Sequence, residues 1–334
     1  MFINGLLTAS VPALDEFTVF HNLASATTDM DKLNTLEKSK HLTGDFRNVR
    51  IVPSYESTIK CSLKSEDIGR PVLETLCRRF PFRSEDTWRL RLQNGWVKQH
   101  GQVLAEETTL ESSEPLYIFH PRRIEPSVPD ELRVLEKTDR YLLIYKPAPM
   151  PIHPGGRYYK NTVTHILEEA WPEMPVYLTH RLDAVTSGLL LLARCPDFLQ
   201  KIHRAFANRE VEKKYLAVVK GNPVKSQCTI RRPIKRKQGY LFECANDGHE
   251  AITHFEVLER GRDRSLVLCT PETGRTHQIR LHLKEWGHPI YNDYSYLDGY
   301  CSETPRFQNN SIALIHHRLA FPGLSLDFSL FQVD

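Results

Sequence analysis

Apolar and polar positions divide the chain into three textures. Residues 1–55 are weakly patterned, with polar stretches such as Ala24–Lys40, and predict an extension with at most short structure. From about Ser57 to Pro121 the pattern tightens. Val72, Leu73, Leu76 and Cys77 recur at helical spacing and predict a helix over Val72–Phe80. Ser84, followed by Glu85 and Asp86, is a good N-cap for a second helix. Gly95–Val103 reads as two short strands around a Gly turn, and Leu116–Phe119 as a closing strand. The charged, Pro-bearing stretch over residues 122–130 reads as a linker.

Beyond Glu131, strands and helices mix without a strict alternation. The pattern predicts strands at Arg133–Glu136, Tyr141–Lys146, Val176–His180, Leu189–Arg194, Tyr215–Lys220, Ala251–Glu259, Ser265–Thr270 and Ile312–Phe321. It predicts helices at Thr162–Ala170, Pro196–Ala207 and His277–Trp286. Few strands are separated by a full crossover helix, so the expected fold class is α+β, a mixed and largely antiparallel sheet with flanking helices. The longest apolar run, around Leu189–Ala193, falls far short of the roughly 18–20 residues that span a bilayer.

Composition narrows the class. The 334 residues suit two domains with an extra tail, assigned here as an extension (1–55), a small domain (56–121), a linker (122–130) and a larger domain (131–334). Forty per cent hydrophobic and 25% charged residues exclude wholesale disorder. The net charge of +3 conceals an asymmetry: Lys201–Tyr240 carries twelve basic residues against Glu210 and Glu212, a local +10, leaving −7 elsewhere. Such a stretch is either a polyanion contact or a solvated basic face. Seven scattered cysteines without a C-x-x-C argue against a disulfide framework or a Cys-rich zinc site and fit a reducing compartment. The N-terminus reads as neither a secretory signal nor a mitochondrial presequence, so the expected location is cytoplasmic, with the nucleus as the other default.

The chemistry concentrates in Thr179–Arg194. A strand delivers His180, Arg181 and Asp183 into a loop punctuated by Thr186, Ser187 and Gly188, and a fully apolar strand leaves it. Charged residues at a strand end combine rigid positioning with solvent access. Asp183 suits a nucleophile or general base, and Arg181 a phosphate or base contact. The residues alone leave a second reading open, a turn-capping Asp with an ion-paired Arg.

The segment "HRLDAVTSGLLLLAR" resembles the signature of the RluA-type RNA pseudouridine synthases. Further segments agree in order. Lys146–Pro154 resembles the family's "KP" turn, with Pro149 where Gly is usual. Val211–Ala217 with Gly221 resembles "V-x-K-x-Y-x-A…G", and Pro271–Leu283 resembles "P-x-T-G-R-T-H-Q-I-R-x-H-L". Gly287–Asp293 resembles "G-H-P-I-x-G-D", with Asn292 in place of Gly; Asn tolerates left-handed backbone well. The resemblance spans roughly residues 131–325. The smaller pattern, with "LQNGWVKQHGQVL" at its end, resembles the S4 RNA-binding domain over about 60 residues.

The resemblance implies an enzyme that isomerises uridines in structured RNA, ribosomal or transfer, without a cofactor or metal. It implies that Asp183 is the catalytic carboxylate, that Tyr215 lies against the uracil and moves the C5 proton, and that Arg280 keeps Asp183 ionised and aimed. Arg181 would fill the place of the extruded uridine. Substrate contacts are expected from His180, Arg181, Thr186, Ser187, Gly188, Lys213, Arg275, His277 and Gln278. With RNA as partner, Arg231, Arg232, Lys235, Arg236 and Lys237 become a backbone-tracking surface. A monomer, with no membrane contact, is expected.

Other groups weigh less. His277/His282, His288 and His316/His317 lack zinc-ligand spacing and suit structural or RNA-contact roles. Gly155-Gly156 is a plain turn, and Ser187 lies outside a G-x-S-x-G elbow. The alternatives from other classes are an RNA-binding protein that keeps the fold without catalysis, and an N-glycosidase that releases the base without rejoining it.

Overall fold

The computed structural model describes residues 49–81, 83–297 and 311–331. They form two compact units: Val52–Glu125, and a larger one in which residues 49–51 join those from 126 onward. The extension expected over residues 1–55 lies outside the described residues up to position 48. Its end carries a short strand, β1 (Val49–Arg50), which belongs to the larger unit.

The smaller unit runs β2 (Tyr55–Cys61), α1 (Val72–Arg79), α2 (Glu85–Gln93), β3 (Val97–Gln99), β4 (Gln102–Val103) and β5 (Leu116–Arg123). The Ser84 hydroxyl caps α2, accepting from the Thr87 N–H at 3.3 Å. The sheet order is β2-β5-β3-β4, with Val72, Leu76, Trp88, Val97 and Leu116 in the core beneath it. Two elements depart from the pattern. Strand β2 escapes it because Glu56, Ser57, Thr58 and Lys60 mask the alternation, and β5 runs on through Arg123 into the stretch expected as linker.

The larger unit continues with β6 (Val128–Pro129), β7 (Arg133–Lys137), β8 (Tyr141–Lys146), α3 (Val163–Ala170), β9 (Tyr177–Leu178) and β10 (Ser187–Ala193). Next come α4 (Pro196–Ala207), β11 (Glu212–Lys220), β12 (Gln227–Arg231), β13 (Ile234–Gln238) and β14 (Leu241–Cys244). The last elements are β15 (Ile252–Arg260), β16 (Arg264–Pro271), α5 (Gln278–Glu285), β17 (Leu314–Phe321) and β18 (Leu326–Ser329). Among the described residues the main sheet has ten strands, ordered β12-β15-β16-β11-β17-β10-β8-β7, with β9 on β10 and β18 on β17. Only the β10–β17 pair is parallel. This is the expected mixed, largely antiparallel α+β class, and β8 and α4 have the predicted bounds.

The apolar run of β10 is explained by burial on both faces. Leu190 and Leu192, with Leu142 and Ile144 of β8, pack under Val163, Ile166 and Leu167 of α3. Leu189 and Leu191, with Leu143, pack against Phe198 and Ile202 of α4. Each such side chain contributes about 1.5–3 kcal/mol on leaving water, which makes β10 a rigid support for the loop before it. At its start, Gly188 (φ +111°) meets β17 so closely that a Cβ would stand 2.3 Å from the His316 carbonyl oxygen. The strands β12, β13 and β14 were not predicted: Lys235, Arg236 and Lys237 break the apolar alternation in β13, and β12 and β14 are short strands with no buried residue.

Candidate active site

The Asp183 loop, between β9 and β10, is tied down by its own backbone. The Thr186 N–H donates to the Asp183 carbonyl at 3.1 Å, and the Met150 N–H to the Ala184 carbonyl at 2.8 Å. The fully buried Lys146 adds to this, its Nζ donating to the carbonyls of Pro147, Met150 and Ala184 at 2.9, 2.9 and 3.2 Å. Burial pushes that ammonium down to about 7, while the charge of Asp183 pulls the other way. Lys146 was read from the sequence only as part of a motif; here it fastens the residue next to Asp183.

The Asp183 side chain is 19% exposed, at the floor of a cleft of about 580 Å³, a volume suited to a small ring ligand. Arg280 of α5 reaches its Oδ2 with one nitrogen at 3.3 Å, and His277 Nε2 stands 3.7 Å from the same oxygen. Burial alone would raise the carboxyl; the charges of His277 and Arg280, the Arg280 hydrogen bond and Arg181 hold it below the ordinary Asp value instead. His277 is itself pushed down to about 4 by burial, so at neutral pH the positive charge beside Asp183 belongs to Arg280.

Arg280 is gripped elsewhere more firmly. Its Nε and second terminal nitrogen both donate to Asp293 at 2.7 Å. Burial opposes the guanidinium charge, but Asp293 and then Asp183 outweigh it and raise its pKa above the usual Arg value. His277, at the start of α5, has left-handed backbone (φ 59°), and its Nδ1 is hydrogen-bonded to the Tyr296 hydroxyl at 2.5 Å. That hydroxyl in turn accepts the Phe242 N–H at 3.2 Å. Tyr296 also places its ring 4.8 Å from the Arg280 guanidinium. Neither Asp293 nor Tyr296 had been singled out as a site residue.

On β11, Tyr215 faces the same cleft and stacks on His316 of β17. Burial, then the charge of Asp183, raises its phenol above the ordinary Tyr value, so it is protonated at neutral pH. Lys213 also lines the cleft, with no acidic partner among the described residues, and burial lowers its pKa.

Seven of the nine expected substrate contacts line the cleft: His180, Arg181, Thr186, Lys213, Arg275, His277 and Gln278. Ser187 and Gly188 do not. The Ser187 hydroxyl points to the Leu314 carbonyl at 3.5 Å, and Gly188 is held against the His316 backbone. Gln278 is buried and organises the loop before α5, accepting from the Thr273 hydroxyl and the Arg275 N–H and donating to the Ile252 carbonyl. His180 accepts the Leu191 N–H at 3.1 Å, which ties it to the sheet.

Of the five basic residues expected along RNA, Arg232 pairs with Glu285 at 3.4 Å, Lys235 with Asp247 at 2.9 Å and Lys237 with Glu243 at 3.5 Å. Arg231 and Arg236 have no acidic partner within ion-pair distance among the described residues; Arg236 lies 5.5 Å over the Phe242 ring.

A mixed sheet carries an ionised, arginine-paired carboxylate and a protonated phenol into one cleft, the arrangement of an enzyme that can work by carboxylate and proton-transfer chemistry without further groups. The family pattern for RNA pseudouridylate synthase matches residues 140–285, which hold Asp183, Tyr215 and Arg280. A Bacillus subtilis protein named as an uncharacterized RNA pseudouridine synthase is 32% identical over 236 residues, 65% of this chain and 78% of that protein. A mitochondrial tRNA pseudouridine(32) synthase of Saccharomyces cerevisiae is 30% identical over 272 residues, 78% of this chain and 58% of the relative. The solved structure of human RNA pseudouridylate synthase domain containing 1 aligns with a TM-score of 0.50 at 26% identity, over 61% of this chain and 84% of that one. The chain spans about half to seven-tenths of the length of the plant and human relatives it matches. It belongs to the RNA pseudouridine synthase family.

Proposed function

We propose that this chain converts uridine to pseudouridine within structured RNA, with Asp183 as the reacting carboxylate. The observation that carries the reading is the ionised Asp183 at the cleft floor, paired with Arg280 at 3.3 Å, in a space shared with Tyr215. The reaction breaks the N1–C1′ bond, turns the base, joins C5 to C1′ and releases the C5 proton. Attack at C1′ or at C6 requires the carboxylate in its anionic form, which Arg280 secures.

Tyr215 then lies beside the ring as the group that moves the C5 proton. A phenol that stays protonated accepts a proton only by passing its own on, and the anionic Asp183 nearby is suited to take it. Arg181, exposed at the cleft and without an ion pair among the described residues, supplies a plane to fill the stack that the target uridine leaves. The β12 strand and the β13–β14 hairpin, with Arg231, Arg232, Lys235, Arg236 and Lys237, track the RNA backbone.

The unit Val52–Glu125, with its two helices followed by strands, acts as an S4-like RNA-binding module that the chain carries in addition to the catalytic unit. Ribosomal and transfer RNA are the candidate substrates; one relative's name specifies tRNA. The working form is a monomer in the cytosol. The six described cysteines are all free, as suits a reducing compartment, and fractionation of the tagged full-length chain tests the location.

The test is incubation of the purified chain with RNA bearing tritium at uridine C5, taken from cells that lack the protein. Tritium release without free uracil is the expected result. No release from any RNA pool by the folded protein would overturn the reading in favour of a non-catalytic RNA binder, and free uracil would indicate a glycosidase.

A further inference from the structure

We propose that Asp293 is a positioning residue that reserves one oxygen of Asp183, Oδ1, for the reaction. The inference rests on Asp183 being the reacting carboxylate and adds which oxygen reacts and what leaves it free.

A guanidinium and a carboxylate left to themselves prefer a two-point, fork-to-fork pairing that engages both oxygens. Arg280 forms such a pair with Asp293, through Nε and one terminal nitrogen, both at 2.7 Å. Only its other terminal nitrogen remains for Asp183, and it meets Oδ2 alone, at 3.3 Å. His277 Nε2 faces the same Oδ2 at 3.7 Å. Its orientation is fixed from behind by Tyr296, whose hydroxyl is hydrogen-bonded to Nδ1 and accepts the Phe242 N–H. The one hydrogen bond to the carboxylate, from Arg280, therefore engages Oδ2, the oxygen His277 also faces, and Oδ1 has no protein partner among the described residues.

Asp293 itself is 1% exposed and does not line the cleft, so it acts through Arg280 rather than on substrate. Its place is set by backbone. Asn292 before it has left-handed φ (63°), and the Asp293 N–H donates to the Ile290 carbonyl at 3.2 Å. Occupying the fork of Arg280 separates two functions that a simple ion pair would confound: Asp183 stays charged, and one of its oxygens stays available. An anion with both oxygens hydrogen-bonded to a guanidinium is a weaker nucleophile and a weaker base.

The variant Asp293→Asn keeps the shape but replaces one acceptor oxygen with a donor. The Arg280 fork is then expected to swing onto both oxygens of Asp183. Tritium release should fall about tenfold or more in kcat, with KM for RNA little changed. The acid limb of the pH profile should move to lower pH, because Asp183 has gained a stronger partner. Asp293→Glu, which restores a carboxylate, should return the acid limb to its original place and recover most of kcat. A role confined to stability would lower Tm and leave the limb where it was, and that result overturns the proposal.

A structure of the unmodified chain with RNA carrying 5-fluorouridine at the target avoids any folding defect of the variants. Fluorine at C5 cannot leave as a proton, so the final deprotonation is blocked and the rearranged nucleotide, with C5 joined to C1′, is held in the site. Oδ1 should be the oxygen nearest C1′ or C6; finding Oδ2 there refutes the assignment. If the unmodified chain releases no tritium at all, the proposed reaction fails, a result distinct from either outcome here.

Discussion

Tyr215 lies flat against His316, with ring centroids 4.4 Å apart and planes 19° from parallel. The two residues are direct neighbours across β11 and β17. A one-residue irregularity follows, where His317 is extra: Lys214 faces Arg318 while Tyr215 faces His316. The His316 Nδ1–H donates to the Leu189 carbonyl at 2.7 Å, which anchors the ring to β10. Burial holds His316 down to about 4, so the plane behind Tyr215 is uncharged at neutral pH. A rigid apolar backing of this kind restricts the phenol to one plane, which a group working on a stacked uracil requires.

The same histidine adds to acid lability, together with His120, His180, His277 and His317, which burial also holds down. An unfolded chain protonates His near 6.5, whereas folded His316 holds out to about 4. Between these pH values the unfolded state binds a proton that the folded state refuses, so stability falls as pH drops through the window. For a fully buried group the loss is on the order of 3 kcal/mol. His316→Phe, which keeps the stacked plane, should lessen the decline of Tm between pH 6.5 and 4 by its own share, leaving the part due to the other buried histidines. Equal declines in both proteins would show that His316 has no share in it.

The pH dependence of activity follows from two other groups. With Asp183 held below the ordinary Asp value, tritium release should persist to pH values below the usual carboxylate range before it falls. Tyr215, raised above the ordinary Tyr value, should contribute no alkaline limb below about pH 10. Tyr215→Phe keeps the stack on His316 but removes the proton-carrying oxygen. Release should drop by about a hundredfold or more, with RNA affinity nearly unchanged. A Phe variant with full activity would remove Tyr215 from the proton path.

How much of this was legible follows from which signals sequence carries. The buried strand β10 announces itself because both of its faces are apolar, and Asp183 and Arg280 lie in motifs that can be quoted. The meeting of Asp183 with Arg280, 97 residues apart, is a property of the fold that no local pattern contains. Asp293 and Tyr296 stood in or beside a quoted motif, but pairing partners cannot be read from a motif. Gly188 illustrates a related limit. Next to a reactive loop it looks like a substrate contact, yet its lack of a side chain serves the approach of β17. The strands β12, β13 and β14 were missed because the run of charge in β13 erases the alternation that marks a strand, and β12 and β14 are too short and too little buried to show one.

Gly188 therefore makes a separate prediction. In Gly188→Ala the new methyl would stand 2.3 Å from one backbone oxygen and 2.6 Å from one backbone nitrogen, both of His316, at a φ that side chains rarely adopt. The obstructing atoms are all backbone of His316, which leaves nothing flexible to give way. The variant should lose about 3 kcal/mol or more, seen as a large fall in Tm or as insoluble protein. If it folds with unchanged Tm and loses only RNA affinity, the substrate-contact role expected from sequence is restored.

The basic hairpin makes the final prediction, because its charges are not equivalent. Lys235 and Lys237 are exposed and already paired with Asp247 and Glu243, whereas Arg231 and Arg236 have no acid within ion-pair distance among the described residues. Exposed pairs hold by no more than about 1 kcal/mol, so a phosphate can displace the acid, but the freed carboxylate then repels the RNA and offsets the gain. Each phosphate neutralised adds roughly 0.7–0.9 to the slope of log affinity against log salt. Replacing Arg231 and Arg236 with Gln should thus flatten that slope by between one and two. Replacing Lys235 and Lys237 should flatten it by clearly less, with Asp247 and Glu243 left unpaired near the strand. Slopes measured from 50 to 300 mM salt decide the matter. Equal changes in the two double variants would mean that the acids do not compete with RNA, and no change in either would remove the hairpin from the RNA path.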